Sequence, residues 1–217
     1  HSYNFTENNK IHPKFFDIIL YDFHKKTYLE LGKSKACNWQ IGSRLQWTNK
    51  KHIFFNDVKK GKIYSKLKQK NGKTLHEFNN PFWLFCEKKN LGVTISFSNL
   101  CKKRPGYGYL GTHEGIKKNE IKFFDLNNEK PFFIYNNSEH TKQNDTYYFN
   151  HVIANEDKTI FLTTLNNNTT KLREVIPIII KPYSGKVSVI KRYDIFSHPS
   201  FISKNEILFF CEKGYVK

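Results

Sequence analysis

The shortness of its apolar runs constrains this chain more than any other feature. Runs of five to seven residues rich in Ile, Val, Phe and Tyr recur between breaker clusters, and no segment keeps a helical period for ten residues. The runs come in pairs across polar turns. Phe16 to Tyr21 and Thr27 to Leu31 flank an Asp22-Phe-His-Lys-Lys turn. Lys62 to Leu67 and Thr74 to Phe78 meet across Lys70-Asn71-Gly72, where Asn and Gly both tolerate positive φ. Arg44 to Trp47 pairs with His52 to Asn56, Phe82 to Cys86 with Val93 to Phe97, Ile121 to Asp125 with Phe132 to Tyr135, and Phe149 to Ala154 with Thr159 to Leu165. Val175 to Lys181, Val187 to Arg192, and the pair His198 to Ile202 with Ile207 to Cys211 complete an all-β chain.

Candidate innermost strands begin near Leu45, Trp83, Phe149 and Pro199, in a recurrent order of outer hairpin then inner hairpin. That spacing predicts about four to five four-stranded β-propeller blades, because a blade takes roughly 40 to 50 residues. A β-sandwich or barrel is the rival, since it also yields many short strands, but it has no reason to repeat that order. Residues 1–217 read as a single domain with an inserted loop at 100–118. This segment is rich in Gly, Lys and Tyr, and long connections of that kind tend to face ligands.

Charge narrows the partners. Against 19 acidic residues stand 36 basic ones, 32 of them Lys and 4 Arg, for a formal net charge of +17. Such a surface attracts polyanions, but base reading and bidentate carboxylate recognition are mostly arginine work. Cys37, Cys86, Cys101 and Cys211 form no Cys-x-x-Cys pair, which leaves free, mostly buried thiols in a reducing compartment, read here as the cytoplasm. No apolar stretch reaches eighteen residues, so no membrane span is expected. There is no nucleophile elbow, Walker loop, dinucleotide fingerprint or His-Glu-x-x-His.

Four segments carry a family resemblance: Cys37-Asn-Trp-Gln-Ile-Gly-Ser-Arg-Leu-Gln-Trp47, His52-Ile-Phe-Phe-Asn-Asp57, Arg104-Pro-Gly-Tyr-Gly-Tyr109 and Tyr148-Phe-Asn-His151. Together they resemble an uncharacterised bacterial family of WD40-like β-propellers found in surface-polysaccharide biosynthesis loci, some labelled glycosyltransferase. The family is distantly similar to oligogalacturonate lyase. The resemblance implies a ring of six or seven blades and a role in polysaccharide handling. A chain that stops at Lys217 then reads as a partial propeller, truncated or completed by oligomerisation.

Several residues carry candidate chemistry. Asn38, Trp39 and Gln40, followed by Arg44, would present amides, an indole and a guanidinium to an acidic or neutral glycan; the alternative is that the amides cap a tight turn. Arg104, Tyr107 and Tyr109 place an arginine and two phenols on the inserted loop, either to grip a carboxylate or phosphate and flank a sugar or base, or as part of a loop that wraps and plugs the channel mouth. His151 and His198 occupy matching places in successive repeats, and with His113 they would suit a divalent metal, the one cofactor this chain could accommodate. His151, Asp57 and Glu114 are nominal acid/base groups. Three readings of function follow: a non-enzymatic protein handling surface polysaccharide, a carbohydrate-active enzyme such as a metal-assisted lyase, and a polyanion or nucleic-acid binder. The last requires a lysine stripe on one face.

Overall fold

Alternating apolar and polar residues make the strands, and local turn chemistry orders them. A computed structural model describes residues 15–109, 116–139, 146–167 and 174–217. β1 (Phe16–Asp22) and β2 (Thr27–Ser34) form a two-stranded hairpin. Then come three four-stranded sheets: β3 (Gln46–Trp47), β4 (His52–Lys59), β5 (Lys62–Gln69) and β6 (Thr74–Phe78); β7 (Leu84–Cys86), β8 (Leu91–Ile95), β9 (Glu120–Asp125) and β10 (Lys130–Asn136); β11 (Tyr147–Ala154), β12 (Phe161–Asn167), β13 (Glu174–Lys181) and β14 (Lys186–Val189). A three-stranded sheet of β15 (Phe196–Phe201), β16 (Ile207–Cys211) and β17 (Gly214–Val216) follows. Within each sheet, every strand pairs antiparallel with the next in sequence.

The turns explain that order. Lys59 pairs with Lys62, and the two residues between them, Lys60 and Gly61, have φ of 51° and 77°. That is the type I′ geometry whose twist matches the flanking strands. One expected strand gives way to a helix. The run Val93 to Phe97 stops at Ile95 because the Ser96 side chain accepts the Asn99 amide at 3.1 Å and caps α1 (Phe97–Lys103), which buries Phe97, Leu100 and Cys101 on one face.

The sheets pack face to face in chain order, with one apolar cluster at each junction. Ile18 and Leu31 meet Ile53 and Phe55. Phe54, Leu67 and Phe78 meet Phe82, Phe85 and Phe124. The largest cluster joins Val93, Ile95 and Phe123 with Phe149, Phe161 and Ile178, and takes in Phe97 and Leu100 of α1. Leu162 and Val175 meet Phe196, Phe209 and Cys211. None of the four cysteines forms a disulfide, and Cys37, Cys101 and Cys211 are buried.

This architecture corrects the expected one. The chain is all-β in five small antiparallel sheets, but no sheet closes or curls into a propeller, a barrel or a solenoid. The partial β-propeller of four to five blades is therefore not the fold, nor is the rival barrel. The physical reason is that paired strands record only local hairpin chemistry. Closure is a long-range property, and none of the apolar clusters among the described residues ties the first sheet to the last.

Candidate functional site

Backbone strain marks the site. Among the described residues eight non-glycine residues have positive φ, and five of them, Lys26, Lys60, Asn90, Glu129 and Lys158, lie in hairpin turns. The other three are Arg44, His151 and His198, with φ of 56°, 56° and 50°. Each is the irregular residue at one kind of bulge. Asn150 faces Thr164 and Val152 faces Thr163, so His151 has no residue opposite. Ser197 faces Phe210 and Ser200 faces Leu208, which leaves His198 and Pro199 against Phe209 alone. The Asn56 amide bonds the Ser43 carbonyl at 2.8 Å while Gln46 faces Phe54, so Arg44 and Leu45 share Phe55. A left-handed residue with a Cβ costs about 1 kcal/mol, and a bulge re-aims the side chain that carries it. This chain bears that cost in the first strand, or just before it, of three sheets.

Two of these side chains, Arg44 and His151, gather around Trp83. The Arg44 Nε donates to the Trp83 carbonyl at 2.9 Å, and its guanidinium lies 4.3 Å from the centre of the Trp83 ring. His151 meets the same indole edge-on, with centroids 5.7 Å apart. His151 also meets Tyr107 edge-on at 6.0 Å, and Tyr107 in turn carries the Arg104 guanidinium 4.1 Å from its ring centre. The sequence around α1 makes this second half possible: the helix stops at Arg104, whose amide bonds Leu100 O at 2.8 Å, and Arg104 O then accepts the Tyr107 amide at 3.0 Å. Behind the turn, a Cβ on Gly108 would lie 2.1 Å from the Phe97 carbonyl oxygen, so only glycine lets the loop fold back onto α1.

The electrostatics follow from this arrangement. Burial, followed by repulsion from Arg104, Arg44 and His198, lowers the His151 imidazole to about 4, so it is neutral at pH 7. His151 is exposed to solvent although protein atoms crowd around it. Burial also lowers the Arg44 guanidinium from its ordinary value, an effect that nearby Tyr109 opposes. Neither arginine has a carboxylate partner among the described residues. Two cations and a neutral imidazole, with no carboxylate beside them among the described residues, make a setting suited to an anion.

The other expected residues lie elsewhere. Asn38 is fully buried; its Oδ1 accepts the Gln40 amide at 2.8 Å and its carbonyl accepts the Gly42 amide at 2.8 Å. Asn38 and Gln40 thus shape a turn, and Trp39 stands exposed beside Phe16, 5.7 Å away. Tyr109 is structural as well. Its ring stacks on Phe97 at 4.9 Å, its hydroxyl donates to the Gly42 carbonyl at 3.2 Å, and burial pushes that phenol far above its ordinary range. Asp57 is consumed by the Lys35 and Val58 amides, Tyr64 and Lys66.

His113 and Glu114 lie outside the described residues. No group of three His, Cys, Asp or Glu that could hold a metal occurs among the described residues. The guanidiniums that repel a proton from His151 would repel a divalent cation too, so the metal-assisted lyase loses its support. Sequence reasoning missed Trp83, which it marked only as the start of a strand. Its one signal was that it shares this register with Leu45 and Phe149.

The sequence matches no family model and no curated protein, so nothing supports the propeller-family resemblance or the polysaccharide role it implied. No helix among the described residues is long and apolar enough to cross a membrane. The expected lysine stripe has no obvious place either. Lys25, Lys60, Lys70, Lys88, Lys158 and Lys204 lie in hairpin turns of all five sheets, and successive turns of a meander fall at opposite ends of a sheet.

Proposed function

We propose that this chain is a binding module that captures a small anionic ligand between Arg44 and Arg104, over His151. One observation carries the reading: both guanidiniums are mounted on aromatic rings that each meet His151, and neither meets a carboxylate among the described residues. A partly desolvated cation without a counter-charge is costly, and an incoming oxyanion with several acceptor atoms supplies the missing partner. Stacking holds each guanidinium in place, which reduces the entropy lost when the ligand binds.

Titration with inorganic phosphate, followed by calorimetry or by tryptophan fluorescence, tests the reading. Phosphate is expected to bind with saturation, and Arg44→Gln or Arg104→Gln to weaken it about tenfold each, the loss of roughly one charge-assisted hydrogen bond. Variants that bind phosphate as well as the parent protein would sink the proposal.

A further inference from the structure

We infer that the anion taken here is a dianion, of the phosphate monoester class, and that His151 meets it as an imidazolium, so that capture takes up a proton. This rests on the anion-binding reading above and adds the ligand's charge and its coupling to pH.

Charge counting supports the dianion. Arg44 and Arg104 come from different elements, one just before β3 and one at the end of α1, and they are carried on different rings, Trp83 and Tyr107, each of which meets His151. A monocarboxylate neutralises one guanidinium and leaves the other uncompensated. A tetrahedral dianion presents oxygens in several directions and neutralises both.

The proton follows from what faces His151. Among the described residues, the groups that face it are Trp83 from the segment before β7, Tyr107 from the loop after α1, Arg44, Arg104, and His198 from β15. All the charge among them is positive or can become positive, and none of these groups is an acid that ionises near neutrality. In the free protein that field, added to burial, keeps the imidazole neutral. A bound dianion cancels that repulsion and presents acceptor oxygens to the ring, so the imidazolium becomes a further donor to it. The His151 carbonyl is held independently by the Thr163 hydroxyl at 2.8 Å, so the ring can change charge without releasing the strand.

Inorganic sulfate is the discriminating probe, because it remains a proton-free dianion across the useful pH range. Calorimetry in two buffers of different ionisation enthalpy should show net proton uptake on sulfate binding, and affinity should rise at least about threefold from pH 7.5 to pH 5.5. Acetate should bind about tenfold more weakly than sulfate. In His151→Asn, whose side chain tolerates the left-handed backbone, the pH dependence should vanish. In the parent protein, NMR of the His151 ring protons should show titration moving to higher pH when sulfate is present, a readout that needs no variant. Sulfate affinity equal at both pH values, pH dependence persisting in His151→Asn, or acetate binding as tightly as sulfate each overturn this inference and leave anion binding standing. Failure of sulfate, phosphate and acetate alike overturns the anion-binding reading itself.

Discussion

Replacing Gly92 by alanine adds one methyl group at the most crowded point between the second and third sheets. The new Cβ would lie 2.5, 2.6 and 2.9 Å from three carbons of the Phe82 ring, well inside contact distance. Neither partner can easily retreat. The Phe82 ring is fully buried and contacts Phe54, Phe78, Phe85 and Phe124. Its backbone is clamped as well: the Asn56 side chain accepts the Phe82 amide at 3.0 Å and donates to the Phe82 carbonyl at 3.0 Å. Gly92 itself pairs with both Phe85 and Phe124 in the middle of its sheet. Overpacking a core costs about 1–3 kcal/mol, and a stiff ring with a pinned backbone puts this case near the top of that range. Urea denaturation of Gly92→Ala should therefore show a midpoint shift equivalent to about 3 kcal/mol with an unchanged slope. The partner test is Phe82→Leu, which opens a void where the methyl would go. The double variant should be more stable than the sum of the two single losses implies, by about 1 kcal/mol or more. Since Trp83 follows Phe82 and carries Arg44, phosphate binding should weaken in Gly92→Ala and recover in the double variant. A Gly92→Ala variant within about 0.5 kcal/mol of the parent, or a strictly additive cycle, would refute the packing argument.

Two further outcomes are expected. Because His151 is lowered from 6.5 to about 4 on folding, the unfolded chain binds more protons between those values, and stability should fall as pH drops through that window. The ring is partly open to solvent, so screening reduces the full linkage to about 1 kcal/mol; His151→Asn should flatten the dependence by that amount in denaturation from pH 7 to pH 4.5, and an unchanged profile would contradict it. A thiol reagent at pH 7.5 should label native protein at partly exposed Cys86 first, while buried Cys37, Cys101 and Cys211 react only after unfolding. Burial raises the Cys101 thiol to about 11, and Cys101 reacting as fast as Cys86 would overturn that assignment.

Parts of the site were legible in the sequence because they depend on residue type alone. Arg44, Arg104, Tyr107 and His151 stand out as an uncommon set in a chain whose cations are nearly all lysine, and His198 matches His151 in register. Their gathering was not legible. Arg44 reaches the carbonyl and ring of a residue 39 positions away, and nothing local distinguishes Trp83 from an ordinary core indole. The opposite error occurred at Asn38 and Tyr109, which have the right chemistry for recognition yet spend it on the turn at Gly42, because a buried polar group must find a partner nearby.

By itself, the amino-acid sequence determined that this chain is built of antiparallel hairpins. Period-two alternation and turns such as Lys60-Gly61 act over a few residues and need no distant partner. It also set the net charge of +17 and the four thiols without a Cys-x-x-Cys pair. Only the tertiary structure decided that the sheets stack without closing, that Asp57 is hydrogen-bonded to Lys35 and Lys66, and that two arginines and burial hold the His151 imidazole below its ordinary value. Each of these depends on contacts between residues far apart in the chain, and on the field and desolvation that arise only once the sheets have packed.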